Sequence, residues 1–220
     1  MKPYYTDDLV TLYHGDCREI TDWHTADVLV TDPPYGIAYE SNMNNDRRNV
    51  KMGRPIEGDR DLTLRDHVLG VWGDRPAIVF GRWDAHRPVN TRARLIWDKG
   101  DSPGMGDLKM PWGRSDEEIY VLGQGFAGTR TGSVIRVKML SAADRNRPDH
   151  PTPKPVPLME VLIGKCPPGV IADPFTGSGS TLIAAKLQGR RAVGIELEER
   201  YCEIAATRLS QDALPFGEVS

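Results

Sequence analysis

No one sign of charge dominates this chain: 28 Lys and Arg stand against 31 Asp and Glu, a formal net charge of -3. No global field draws it to a polyanion, so contact with nucleic acid has to come from a local basic patch. Cysteine is scarce too. The three present, Cys17, Cys166 and Cys202, are far apart and outside any Cys-x-x-Cys spacing, which argues against a disulfide framework and a structural zinc site. They are expected to be ordinary buried thiols, and no metal is expected. No apolar stretch approaches the ~20 residues needed to span a bilayer, and Asp7 and Asp8 fall where a signal peptide needs an apolar core. The expectation is a soluble, cytoplasmic protein with no membrane partner, in a bacterium or a phage-infected cell. At 220 residues it reads as a single domain spanning 1–220.

What the chain does have is a series of short apolar runs separated by helical patterns. That arrangement predicts an α/β fold, a mostly parallel sheet with helices on both faces. Strands are expected at 28–30, 77–80, 94–97 and 119–122. The last third is the most regular, with strand 170–172, helix 178–187, strand 191–195 and helix 197–209 in succession. Two stretches break the pattern. Residues 41–60 are polar, rich in Asn and Arg, and read as a loop. Residues 123–147 carry Arg130, Arg136, Lys138, Arg145 and Arg147 against the single acid Asp144, with a short β-like piece at 133–137. This is the candidate surface for a phosphate backbone, and so for DNA.

The strand at 28–30 runs into Thr31-Asp32-Pro33-Pro34-Tyr35. Two prolines remove backbone donors and fix φ, so the strand must stop there. Open α/β sheets put their ligands at such carboxyl ends. An exocyclic amino nitrogen of adenine or cytosine is a poor nucleophile because its lone pair is delocalised into the ring. A carboxylate at Asp32 can accept one amino hydrogen and the carbonyl of Pro33 the other, with the prolines keeping that carbonyl aimed. Tyr35 offers a flat face for a base that has left its stack. A strand-ending turn with an incidental acid and a core tyrosine is the bland alternative.

A second loop, Asp173-Pro174-Phe175-Thr176-Gly177-Ser178-Gly179-Ser180-Thr181, turns from a strand into a helix. Gly177 and Gly179 let a ligand lie against bare backbone, and Glu196, at the end of the next strand, can accept the ribose hydroxyls of an adenosine-bearing ligand. Alone, this pattern also fits a plain tight turn, or an oxidoreductase of the NAD type. A P-loop is excluded, since no Gly-Lys-Ser/Thr closes the loop.

Taken together, the two loops and the segment His150-Pro151-Thr152-Pro153-Lys154-Pro155 resemble the β group of DNA amino-methyltransferases, in which the catalytic loop precedes the cofactor loop. The resemblance covers about 12–209. It implies a Rossmann-like methyltransferase fold using S-adenosylmethionine, with a seven-stranded sheet and a circularly permuted motif order. It also implies roles. Asp32, Pro33, Pro34 and Tyr35 would be catalytic. Asp173, Gly177 and Gly179 would hold the methionine end of the cofactor, with Phe175 and Ser178 in the same loop. Thr152 and Lys154 would support the cofactor carboxylate and Glu196 the ribose. Asp16 and Cys17, in a Gly-Asp-Cys piece similar to the family's, would lie beside the adenine, although a Gly-Asp turn is also a common structural device.

Members of this family commonly carry a sizeable target-recognition insert, and here only 123–147 is available. Readout is therefore expected to be short, relaxed, or shared with a second subunit in a homodimer. An Asp opening the tetrapeptide resembles the adenine enzymes more often, so N6 of adenine is favoured over N4 of cytosine. Direct transfer without a covalent intermediate is expected, in a restriction-modification or regulatory setting. A catalytically weak DNA-binding protein of the same fold is the alternative. The segment Gly81-Arg82-Trp83-Asp84-Ala85-His86 follows a strand in the middle of the chain and has no family role assigned; Arg82 and Trp83 could line the DNA cleft, while Trp83 fits partial core equally well.

Overall fold

The computed structural model describes residues 1–34, 44–45, 50–51, 62–100, 109–140, 147–150 and 152–211. Tyr35, Arg145 and most of the expected loop 41–60 lie outside the described residues. The chain runs through β1 (Tyr5–Thr6), β2 (Val10–His14), a 3₁₀ turn (Asp22–Thr25) and β3 (Val28–Thr31). Next come β4 (Asn44–Asn45) and β5 (Val50–Lys51), an antiparallel pair of their own, then α1 (Thr63–Trp72), β6 (Ala77–Gly81) and β7 (Ala93–Asp98). The order continues with β8 (Asp116–Leu122), β9 (Val134–Arg136), α2 (Val156–Ile163), β10 (Ile171–Asp173), α3 (Ser180–Leu187), β11 (Ala192–Glu196) and α4 (Glu199–Gln211).

One sheet collects most of the strands in the order β1-β2-β11-β10-β3-β6-β8-β7-β9. From β2 to β6 every pairing is parallel, and β8 then runs against both β6 and β7. The expected α/β class and mostly parallel sheet are observed. The strand number differs: nine strands among the described residues rather than seven, because two short edge strands, β1 and β9, extend the sheet at either side.

Burial explains the parallel half. Every residue of β3, β6, β10 and β11 is buried, as required of strands covered on both faces. One face packs on α2, α3 and α4 through Leu158, Leu162, Ile183, Cys202 and Leu209. The other packs on α1 and the 3₁₀ turn through Val68, Trp72 and Trp23, whose two indoles stack at 6.1 Å. Strand β7, next to the edge strand β9, is half-exposed by contrast.

Two boundaries differ from expectation for local reasons. The helix expected from 178 starts at Ser180, because Gly179 sits at φ +86 and no helix passes through that conformation. The helix expected from 197 starts at Glu199, after a turn in which the Glu198 amide donates to Glu196 Oε1 at 2.8 Å. Helix α1 was not foreseen. Among the described residues no helix is long and apolar enough to cross a membrane.

Candidate active site

Four neighbouring parallel strands, β2, β11, β10 and β3, each deliver an acid at or just past their carboxyl ends: Asp16, Glu196, Asp173 and Asp32. All four line one cleft of about 900 Å³. The sequence separates these residues widely, and the sheet order brings them side by side. A hydrogen bond from the Gly15 amide to the Glu196 carbonyl, 2.9 Å, fixes the turn that carries Asp16 and Cys17 against the end of β11.

At the β11 and β10 ends the acids are held by backbone and hydroxyl donors. Glu196 accepts the Gly177 amide at Oε2 (2.7 Å) and the Glu198 amide at Oε1 (2.8 Å). A carboxylate offers about four lone-pair sites, so each oxygen keeps one for a ligand hydroxyl. Burial raises its pKa above the ordinary glutamate value despite those two donors. Asp173, 2 % exposed, accepts the Thr31 hydroxyl at 2.7 Å and the Phe175 amide at 3.2 Å. Burial pushes its carboxyl up to about 6. Asp16 is held low by its hydrogen bonds with Arg18. Cys17 is buried and its thiol is pushed up to about 12 by that burial, which makes it an inert wall rather than a nucleophile.

At the β3 end the partner is a cation. Lys154, only 8 % exposed, donates its ammonium to Asp32 and stands 3.2 Å from Glu117 Oε2. Lys99 meets the other oxygen of Glu117 at 2.6 Å. The charges alternate as Asp32, Lys154, Glu117, Lys99. Burial works against the charge of Lys154, but Asp32 and Glu117 outweigh it and hold the ammonium above its ordinary pKa. Glu117 is kept below its ordinary value by Lys154 and Lys99 in the same way, against the effect of burial. Glu117 Oε2 is buried, and the charge beside it is the Lys154 ammonium. The resemblance placed Lys154 beside a cofactor carboxylate, whereas here it grips the carboxylate of Asp32.

The same cleft takes in Pro33, Pro34, Thr152, Phe175, Gly177 and Ser178. His150 joins them, with its ring edge against Tyr201 at 4.5 Å and its Nδ1 accepting the Thr152 amide at 3.3 Å. Burial, reinforced by Lys154, pushes His150 down to about 3, so the ring is neutral. Gly179 does not line the cleft. It faces α4, where a Cβ would come within 3.0 Å of Ala205 Cβ, so its part is to let two helices approach. The described basic residues of 123–147, Arg130, Arg136, Lys138 and Arg147, do not line it either. Arg136, the last residue of β9, pairs with Asp98 at 3.1 Å, Arg130 and Lys138 are exposed elsewhere, and Arg147 is half-buried outside the cleft. Among the described residues, Arg18, Arg82 and Arg114 stand at its rim; of these the sequence had pointed only to Arg82, as a lining of a DNA cleft. Among the described residues, no group of three or more His, Cys, Asp or Glu side chains is placed to hold a metal ion.

Comparison with known proteins agrees with this geometry. M2.LlaDCHI, a type II methyltransferase of Lactococcus lactis subsp. cremoris, is 42% identical over 96% of this chain and 93% of its own length. The type II methyltransferase M.ScaI of Streptomyces caespitosus is 27% identical over 96% of this chain and 85% of its own length. Among solved structures, the M1.HpyAVI-SAM complex superposes with a TM-score of 0.65 at 20% identity, covering 91% of this chain and all of that one. The PvuII DNA methyltransferase, described as cytosine-N4-specific, gives 0.68 at 14% identity over 98% and 90%. These two structures share its Rossmann-like fold. The profile of the N6_N4_Mtase family, described as DNA methylase, matches residues 65–207. The chain therefore belongs to the N6_N4_Mtase family of DNA methylases, as an amino-methyltransferase of the β type.

Proposed function

We propose that this protein transfers a methyl group from S-adenosylmethionine to the exocyclic amino nitrogen of a base in DNA, with N6 of adenine as the acceptor. The observation that carries the reading is the position of Asp32. Its carboxylate is pinned by Lys154 in the same cleft, and on the same sheet edge, as Asp173 and Glu196.

The residues fit the cofactor. Glu196 keeps one acceptor site on each oxygen, the arrangement a ribose diol requires. Asp173 is a buried acceptor facing a cleft large enough for an adenosine-sized ligand and a base together. When bound, S-adenosylmethionine supplies a methyl group activated by its sulfonium charge. The chain's own residues then position and desolvate. Asp32 accepts one amino hydrogen of the base, which draws the nitrogen lone pair out of conjugation with the ring. The Pro33 carbonyl takes the second hydrogen and Tyr35 stacks on the base. Lys154 keeps Asp32 aimed through their ion pair. The proton lost from nitrogen passes to Asp32 or to solvent.

N4 of cytosine is the second reading, and the fold likeness to the cytosine-N4-specific PvuII enzyme favours keeping it. Incubation with labelled S-adenosylmethionine and unmethylated genomic DNA, followed by nucleoside analysis, separates the two. N6-methyladenine formed by the parent and lost in Asp32→Ala supports the proposal, while N4-methylcytosine moves the acceptor and leaves the chemistry intact. A folded protein that binds cofactor and labels neither base overturns the catalytic reading.

A further inference from the structure

The segment Gly81-Arg82-Trp83-Asp84 sits at the mouth of the cleft, and its construction points outward. Strand β6 ends at Gly81, whose Cα lies on the Tyr120 ring so closely that a Cβ would come within 2.3 Å of Tyr120 Cε2. The Tyr120 hydroxyl donates to the buried carboxylate of Glu118 and faces the Arg82 carbonyl at 3.3 Å. Arg82 grips Asp84 through Nε and Nη2 at 2.9 and 2.8 Å, and Arg114 reaches the same carboxylate at 3.0 Å. The Arg114 guanidinium lies 5.4 Å from the centre of the Trp83 ring. All this scaffolding leaves Trp83 68 % exposed.

An exposed indole beside two arginines at the mouth of a cleft offers a flat apolar face with cations at its edge. The surrounding charge selects what covers that face. Asp84 is shared by two arginines, and Glu118 by Arg94 and Arg87, so each cluster carries one surplus positive charge. The exposed Asp116 offsets one of these. Arg82, Trp83 and Arg114 line the same cleft as Asp32.

We infer that Trp83 is a DNA-stacking platform, with Arg82 and Arg114 contacting the flanking phosphates. The inference rests on the reading of DNA as substrate. A nucleotide that leaves its stack to reach Asp32 exposes the face of a neighbouring base. An aromatic ring at the cleft mouth covers that face without regard to sequence, and arginines beside it add the salt-dependent backbone term. This places the principal DNA contact on the turn after β6 rather than in 123–147.

Fluorescence provides the test. Trp23, Trp72 and Trp97 are buried, while Trp83 and Trp112 are exposed, so in a Trp112→Phe variant the acrylamide-accessible emission comes from Trp83. A saturating unmethylated duplex, added with S-adenosylhomocysteine, should remove most of that accessibility. Trp83→Ala should weaken duplex binding about tenfold or more, with S-adenosylhomocysteine binding and Tm unchanged and Trp83→Phe recovering most of the loss. Arg114→Ala should weaken binding and flatten its salt dependence. If Trp83 stays equally accessible on saturation, or Trp83→Ala binds like the parent, while the parent labels DNA, this inference alone fails. If the parent neither binds nor labels DNA, the substrate reading fails and the platform falls with it.

Discussion

The two sides of the sheet meet the cleft with different chemistry. On the parallel side, Glu196 and Asp173 at the ends of β11 and β10 are held by amides and a hydroxyl, neutral donors that leave the negative charge uncompensated. On the side where β8 reverses, Glu117, Glu118 and Asp84 are each matched by two cations. A cationic cofactor suits the first environment and a polyanion suits the second. Lys154 bridges them by holding Asp32 of one side and Glu117 of the other. Carboxylates of one type thus acquire opposite tasks from their partners alone.

The strongest way to break this contrast is to remove the bridge. Lys154→Ala takes the ammonium from Asp32 and leaves Glu117 with Lys99 alone, and should cost about 3–5 kcal/mol in urea unfolding. A loss no larger than that of a surface change such as Lys138→Ala would show that the two sides do not depend on it. Asp32→Ala comes next: methyl transfer should fall about 10²–10³-fold, the usual consequence of losing one preorganised partner, with cofactor affinity retained in equilibrium binding. Gly194→Ala probes the packing beneath the parallel side. Its Cβ would meet Thr176 Oγ1 at 2.3 Å and Leu182 Cδ1 at 2.7 Å, and overpacking of that kind should cost about 1–3 kcal/mol.

Asp173→Asn sharpens the comparison through pH. The folded-state carboxyl lies at about 6, above its ordinary value, because of burial. The folded protein thus favours the neutral acid, and this contribution to stability is present below the ordinary carboxylate pKa and lost as pH rises through about 6. The variant should gain roughly 2–4 °C in Tm at pH 8 over the parent, shrinking towards pH 4, while weakening cofactor binding. Thermal scans across that range decide it. The smallest effect belongs to Arg136→Ala, a cation 83% exposed and paired at the sheet edge. Stability should change by less than about 1 kcal/mol, and duplex affinity should hold. A large loss of affinity would return DNA recognition to 123–147.

Much of this site was legible in the sequence because its signals are local. Asp32-Pro33-Pro34 and the loop from Asp173 announce turns at strand ends, and the structure puts both at one edge. Glu196 was found by its place after a strand. The pairing of Lys154 with Asp32 was not legible, since the two are 122 residues apart and nothing near either specifies the other. The basic run in 123–147 is a signal of another kind: a charge run shows composition but not direction, and in the structure Arg136 spends its charge on Asp98. Helix α1 escaped because Gly70 interrupts a short apolar period. Trp83 read equally as lining of a DNA cleft and as partial core, because only the structure, with the Tyr120 ring beneath Gly81, shows the side chain left outside.

The pairing of β2 with β11 has a consequence in time. Val10 to His14 align residue for residue with Ala192 to Glu196, so the earlier strand leaves the ribosome long before the partner it waits for. At about 5–20 residues per second that wait is on the order of ten seconds or more. Until then Asp16 has no Glu196 beside it, and β10 lacks the neighbour that completes its side of the sheet. A nascent or truncated chain can therefore own an intact Asp32 turn and still be unable to hold a cofactor.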